Sequence, residues 1–449
     1  MTLDFICRNG SSKLLLIFAG WAMDRRPFAS LRCDGYDIAV VFDYRDYGMA
    51  PLSGYDEICL IAWSFGVPGA ADYINANPQL PLTLRLAVNG TLTPVDDLTG
   101  IPRAIFDGTL VGLTDRSLRK FYRRMCGSAE AFAEFSASMP QRHIDELAAE
   151  LRAIDSRKTD RRHAECFDRV VIADADAIIP TANQSQAWAA HPAVDIIGGS
   201  HLIDFQRLID RYLTDKTLVG DRFSRSMTTY DDEASVQHLM ARRLAAMLPQ
   251  LSDADILEVG TGTGCFTRKA MERVGASNRW TLWDLAHIDT SLPGNHRQCD
   301  AEQAIRAVAD ASFDMILSAA TIQWFNSPAR FIAEAYRALR PGGIIAVSTF
   351  GERNFRELAP AIGQPRYFSA SQWDATLRSL GIEAEIHEST DVRMFADSAA
   401  LLRHISRTGV NALTSSASAG HRAARGILAS GIRTLTYHPL FIIVRRKQP

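Results

Sequence analysis

The chain has 449 residues, 47% hydrophobic and 22% charged, a globular composition long enough for two cores of ordinary enzyme size. A net charge of −2 supplies no overall field toward nucleic acid or an anionic membrane. Seven cysteines, an odd number with no CxxC pair, argue against a disulfide framework or a zinc site and fit a reduced, cytoplasmic compartment. The start, MTLDFICRNGSS, lacks the basic and long apolar regions of a signal peptide. No apolar run approaches the ~20 residues of a membrane-spanning helix.

The first strand-turn-helix signature is LLLIFAG (14–20), which opens an α/β sheet. A second apolar strand, ICLIAW (58–63), runs straight into Ser64-Phe65-Gly66 and then a helical pattern. A serine on such a turn is the context that a nucleophile elbow requires. The usual spacing is G-x-S-x-G, and Ala62 stands here in the first glycine position. The remaining members of a triad must follow in the order acid, then histidine. RVVIADADAIIP (169–180) is an apolar strand ending in acids, with Asp176 just past its end and Asp174 as the alternative. VDIIGGSHLIDF (194–205) is a short strand and a glycine turn carrying His201. Oxyanion stabilisation needs two backbone N–H groups. Phe65 and Trp21 are the candidates, with Gly20 allowing close approach.

The segments AGWAMD (19–24), AWSFG (62–66), DADAIIP (174–180) and GGSHLIDF (198–205) resemble the BioG-type pimeloyl-[acyl-carrier-protein] methyl ester esterases of biotin synthesis. The resemblance covers residues 1–215. It implies an α/β-hydrolase fold with Ser64, Asp176 and His201 as the triad. A helical region follows the elbow and contains DRSLRKFYRRM (115–125). Arg116, Arg119, Lys120, Arg123 and Arg124 fall partly on one face. Such charge runs are usually solvated, but acyl carrier proteins are acidic and a basic lid would steer one. A link between the halves is expected near residues 215–221 (DKTLVGD).

The second half opens with DILEVGTGTG (255–264). Glu258 closes a strand, and Gly260, Gly262 and Gly264 form the turn. A dinucleotide fingerprint needs G-x-G-x-x-G, but residue 265 is Cys. E-x-G-x-G-x-G instead resembles motif I of class I methyltransferases, which bind S-adenosylmethionine. A second strand, RWTLWD (279–284), ends in Asp284, a carboxylate suited to ribose hydroxyls. CDAE (299–302) places Asp300 and the Ala301 N–H for adenine. Ser318 ends a further strand, SFDMILSAATIQWF (312–325), and is expected near the methionine moiety. LRPGGIIAVSTFG (339–351) is a turn into a fifth strand.

RFSRSMTTYDDEASVQHLMARRLAAMLP (222–249), CDAE, IQWF and STFGERNFREL (348–358) resemble the BioC-type malonyl-[acyl-carrier-protein] O-methyltransferases of biotin synthesis. This resemblance covers residues 222–449. It implies a Rossmann-like class I methyltransferase fold, with Tyr230 and Gln237 on an N-terminal helix folded over the cofactor. Arg403 and Arg407 are candidates for the malonyl carboxylate or the carrier. Methyl transfer to an ionised carboxylate needs no evident base and no metal.

Two α/β domains are therefore expected, 1–215 and 222–449. One would methylate malonyl-[acyl-carrier-protein]; the other would hydrolyse pimeloyl-[acyl-carrier-protein] methyl ester. Masking the charge lets malonate enter an apolar elongation site. The esterase would then unmask the elongated product. The alternative is a small-molecule methyltransferase fused to an inactive hydrolase-like module that docks the carrier.

Overall fold

The computed structural model describes residues 1–157, 165–275, 277–286, 291–359, 367–407 and 417–448, with side chains described except in 226–233 and 417–423. The chain divides into two compact units, Met1–Ile209 and Asp210–Pro449. Each is built on a seven-stranded sheet, and a separate two-stranded sheet belongs to the second. Among the described residues no helix is long and apolar enough to cross a membrane.

In the first unit the strands are β1 (Thr2–Cys7), β2 (Lys13–Phe18), β3 (Asp37–Phe42), β4 (Glu57–Trp63), β5 (Leu82–Val88), β6 (Arg169–Ala173) and β7 (Val194–Ile197). Their order is β1-β3-β2-β4-β5-β6-β7. All neighbours are parallel except β1, which runs antiparallel to β3. Strands β3, β4 and β5 are buried along their whole length, as continuous apolar runs in a parallel sheet must be. The sheet therefore begins one strand earlier than residue 14. Strand β1 is a half-buried edge strand of six residues, too short and too mixed to stand out.

Among the described residues four α-helices lie between β5 and β6: Arg103–Val111, Asp115–Cys126, Ala129–Ser136 and Ile144–Ser156. The basic helix is locally encoded. Thr114 and Ser117 form a capping box at its start, and Gly127 ends it in the left-handed conformation.

In the second unit the strands are β8 (Asp255–Val259), β9 (Arg279–Asp284), β10 (Asn295–Gln298), β11 (Phe313–Ala319), β12 (Leu339–Phe350), β13 (Ala384–Glu388), β14 (Asp391–Met394), β15 (Thr434–Tyr437) and β16 (Pro439–Arg445). The large sheet runs β10-β9-β8-β11-β12-β16-β13, and β14 pairs with β15. Only β16 is reversed, antiparallel to both its neighbours. Its core includes Ile256, Leu282, Leu317 and Ala346, none of them exposed. The first strand of the unit, β8, thus sits inside the sheet with the crossovers diverging on either side. Ligands in open α/β sheets bind at such a point. Residues 216–221 are helical, the opening of the helix Lys216–Glu233.

Candidate active sites

In the first unit Ser64 follows β4 directly and adopts φ = 57°. That is a left-handed conformation a non-glycine residue pays for, and it is held on both sides. The Ser64 amide donates to Val88 O at 3.0 Å. A Cβ on Gly66 would lie 2.3 Å from Phe18 O, so only glycine fits the turn. Ala62 needs no such exemption. It is a regular strand residue, paired with Phe18 and Ala87, and its methyl group is fully buried.

Three side chains converge from three separate loops. Ser64 Oγ lies 2.9 Å from His201 Nε2. His201 Nδ1 lies 2.8 Å from Asp176 Oδ2. Because the carboxylate oxygen accepts, Nδ1 carries the proton and Nε2 is left to accept from the serine. Asp176 Oδ1 accepts from the Ile178 and Ile179 amides at 2.8 and 3.0 Å. All three residues are buried, whereas Asp174 is exposed and accepts from the Gly199 amide. Among the described residues neither the Trp21 nor the Phe65 amide has a hydrogen-bond partner. The backbone at Gly20 approaches close enough that an added Cβ would sit 3.0 Å from Ser64 Cβ.

The Trp21 indole donates to Leu147 O at 3.0 Å, and its ring meets Phe121 edge-on. The Phe65 ring meets Phe106 edge-on. Helices Arg103–Val111, Asp115–Cys126 and Ile144–Ser156 are thereby packed on the loops flanking the serine. Arg116, Arg119, Lys120, Arg123 and Arg124 are all exposed on the middle one. Two residues that sequence reasoning missed hold the site together. Asn89 donates to Ser200 O and His201 O and accepts from the Ala173 amide. Gln184 donates to Asp176 Oδ2 at 2.8 Å.

In the second unit a cavity open to solvent lies at the carboxyl ends of β8, β9 and β11. Gly260, Gly262, Asp284, Asp300 and Ala301 all line it, and so does Gln237. Asp284 is fixed by the Gly262 and Ala286 amides, each at 2.7 Å, and each oxygen keeps a lone pair for a further donor. Burial raises its pKa, while those amides oppose the shift. Gly260 has φ = 78°, and a Cβ there would collide with Thr321.

Three expected cofactor residues do not line the cavity. The Ser318 hydroxyl is fully buried and donates to Val259 O at 2.9 Å. Side chains alternate along a strand, so Ser318 turns inward while Ala319 reaches the cavity, as do Ala320 and Thr321 just past the strand end. Gly264 caps the helix Cys265–Val274. Glu258 lies beneath the loop and accepts from Thr267 Oγ1 at 3.0 Å. Burial pushes its carboxyl up to about 8; the Asp284 charge adds to this and the Thr267 hydroxyl opposes it. Its second oxygen has no partner among the described residues. Tyr230 lies outside the described residues. Arg403 and Arg407 are exposed on the helix Ser398–Arg407 and do not line the cavity.

Lys216 was not anticipated. It is buried at the cavity wall, with Nζ 2.7 Å from Asp300 Oδ2 and 2.6 Å from Glu302 Oε2. Asp300 Oδ1 accepts from the Glu302 amide. The residues fit an adenosyl group on this chemistry. A bare glycine loop admits the ligand, a backbone-held carboxylate can accept a hydroxyl pair, and Phe223, Trp324 and Phe325 supply apolar wall.

A family described as methyltransferase domain matches residues 257–347. The family described as pimeloyl-ACP methyl esterase BioG matches residues 1–211. A malonyl-[acyl-carrier protein] O-methyltransferase of Bacteroides fragilis (strain 638R) is 31% identical, over 98% of this chain and 94% of its own. The chain belongs to the malonyl-[acyl-carrier protein] O-methyltransferase family, and its cofactor is S-adenosylmethionine. A Haemophilus influenzae protein of the same description is 31% identical, over 51% of this chain and 95% of its own. A crystal structure of BioG from Haemophilus influenzae is 33% identical, over 45% of this chain and 94% of its own, with a TM-score of 0.40.

Proposed function

We propose that the chain is a bifunctional cytoplasmic enzyme of biotin synthesis acting on acyl carrier protein. Residues 222–449 methylate the free carboxylate of the malonyl carrier. Residues 1–215 form an α/β-hydrolase-fold serine esterase that cleaves the methyl ester of the pimeloyl carrier. The observation that carries the esterase reading is the unbroken chain Ser64–His201–Asp176 beside two unpartnered amides.

In this reading Ser64 Oγ attacks the ester carbonyl while His201 Nε2 takes its proton. Asp176 holds the imidazole in the tautomer required. The Trp21 and Phe65 amides stabilise the oxyanion. The Oγ–carbonyl bond forms, the carbonyl–methoxy bond breaks, and methanol leaves with the proton from His201. Water then attacks the acyl-serine, its proton passing to His201, and the acid is released with Ser64 restored. The exposed cations of the helix Asp115–Cys126, Arg116 to Arg124, steer the acidic carrier to this site.

In the second unit S-adenosylmethionine supplies an electrophilic methyl group. The Gly260–Gly262 loop would let the backbone approach it, and Asp284 would accept from the ribose hydroxyls. Asp300, oriented by Lys216, and the Ala301 amide would hold the adenine. The apolar wall would exclude water from the methyl group.

The test is a pair of single variants of the full chain. Ser64→Ala abolishes methanol release from the pimeloyl-carrier methyl ester and leaves methylation of the malonyl carrier unchanged. Asp284→Ala does the converse. Loss of both activities in either folded variant contradicts two independent sites. Methyl transfer to a small molecule but not to the malonyl carrier favours the alternative of a docking module fused to a small-molecule methyltransferase.

A further inference from the structure

Gln184 is fully buried on the helix Thr181–Ala187. Its Nε2 donates to Asp176 Oδ2 at 2.8 Å and to Ile179 O at 2.9 Å. Both neighbours of that nitrogen are acceptors, so the amide cannot be reversed without setting oxygen against oxygen. Its own Oε1 has no partner among the described residues. An orphaned buried oxygen costs stability, and an apolar residue of similar size would fill the space without that cost. What the amide adds is a second donor on Asp176 Oδ2, the oxygen that faces His201.

We infer that Gln184 is a positioning residue of the hydrolytic site, holding the Asp176 carboxylate in the rotation that meets His201. The inference rests on the esterase reading of the Ser64 site. The carboxylate has four donors, two on each oxygen. The backbone pair fixes Oδ1. Gln184 and His201 share Oδ2, so removing the amide frees that oxygen to swing and to meet the imidazole off-line. Among the described residues His201 is the titratable group in hydrogen-bond contact with this carboxylate, and Asp174, on the same loop, is turned to the Gly199 amide.

Two variants of the full chain test this, with hydrolysis of the pimeloyl-carrier methyl ester as the readout. Gln184→Leu lowers kcat about 10- to 100-fold with KM little changed, the size expected when a catalytic group is slightly misplaced. Methyl transfer by the same preparation stays at the wild-type rate. Gln184→Glu adds a signature that a packing role would not give. At low pH its introduced carboxyl is protonated and donates to Asp176, so turnover approaches wild type. As pH rises it ionises, repels Asp176 and turnover falls, giving an alkaline limb absent from the wild type. Wild-type kcat and pH profile in both variants overturn the inference. If Gln184→Leu fails to fold, the profile of Gln184→Glu decides. Labelling of Ser64 by a fluorophosphonate separates the two failures. A wild-type chain that neither labels nor hydrolyses sinks the esterase reading, and this inference with it. A chain that labels and hydrolyses normally in both variants sinks the inference alone.

Discussion

Each site depends on individual residues held against their own preferences. Ser64 sits at φ = 57° because the surrounding backbone leaves no other path, with Gly66 pressed on Phe18 and Ala19. Glu258 is a carboxyl buried without a cation among the described residues, and it has a measurable consequence. Its pKa is raised to about 8 from an ordinary 4.5. Between those values the unfolded chain releases a proton that the folded chain keeps. Folding stability from this group is therefore complete at low pH and is lost as pH rises through about 8. Glu258→Gln removes that slope. The second unit should melt a few degrees higher than wild type at pH 8 and about equally at pH 5, by calorimetry of the cofactor-free chain. A difference that persists unchanged at pH 5 contradicts a neutral Glu258. At this scale Ser64 and His201 were legible from their order and their glycine turns, while the acid was narrowed only to Asp176 or Asp174. Gln184 and Lys216 were not. Lys216 and Asp300 are 84 positions apart in the chain, and no local pattern marks such a pairing.

Strands and the turns that follow them carried most of what the sequence revealed. Apolar runs marked β2, β4, β8 and β11 because a parallel sheet buries both faces. Edge strand β1 has no such run and was missed. The inward turn of the Ser318 hydroxyl has a separate root. A strand end can be read from sequence to within a residue or two, yet one residue decides which face a side chain takes. Between elements the most informative residue is Asn89, at the end of β5. It is fully buried and ties the β6 backbone to the loop that carries His201. Asn89→Ala leaves those groups unmatched and should cost the first unit about 1–3 kcal/mol. Denaturant unfolding of the full chain should show the first unit's midpoint lowered and kcat for hydrolysis reduced, with methyl transfer unaffected. An unchanged midpoint would mean that the loop is anchored elsewhere.

On the proposed reading the whole chain carries two chemistries that oppose one another, one forming a methyl ester and the other cleaving one. Two separate glycine-punctuated openings made this division legible from the start, and the family relatives support it from both ends of the chain. What the sequence does not carry is the length of acyl chain each site accepts, since that depends on the walls of a pocket assembled from distant segments. The proposal has one strict requirement at this scale. Hydrolysing the freshly made malonyl methyl ester would undo the methyl transfer, so the esterase must reject it and accept the longer pimeloyl ester. The direct measurement is methanol release by the intact chain from the two methyl esters, each on the same carrier, with Ser64→Ala as the control. The account predicts a kcat/KM for the pimeloyl ester far above that for the malonyl ester, both lost in the variant. Equal values for the two esters, or turnover that survives in Ser64→Ala, would contradict it.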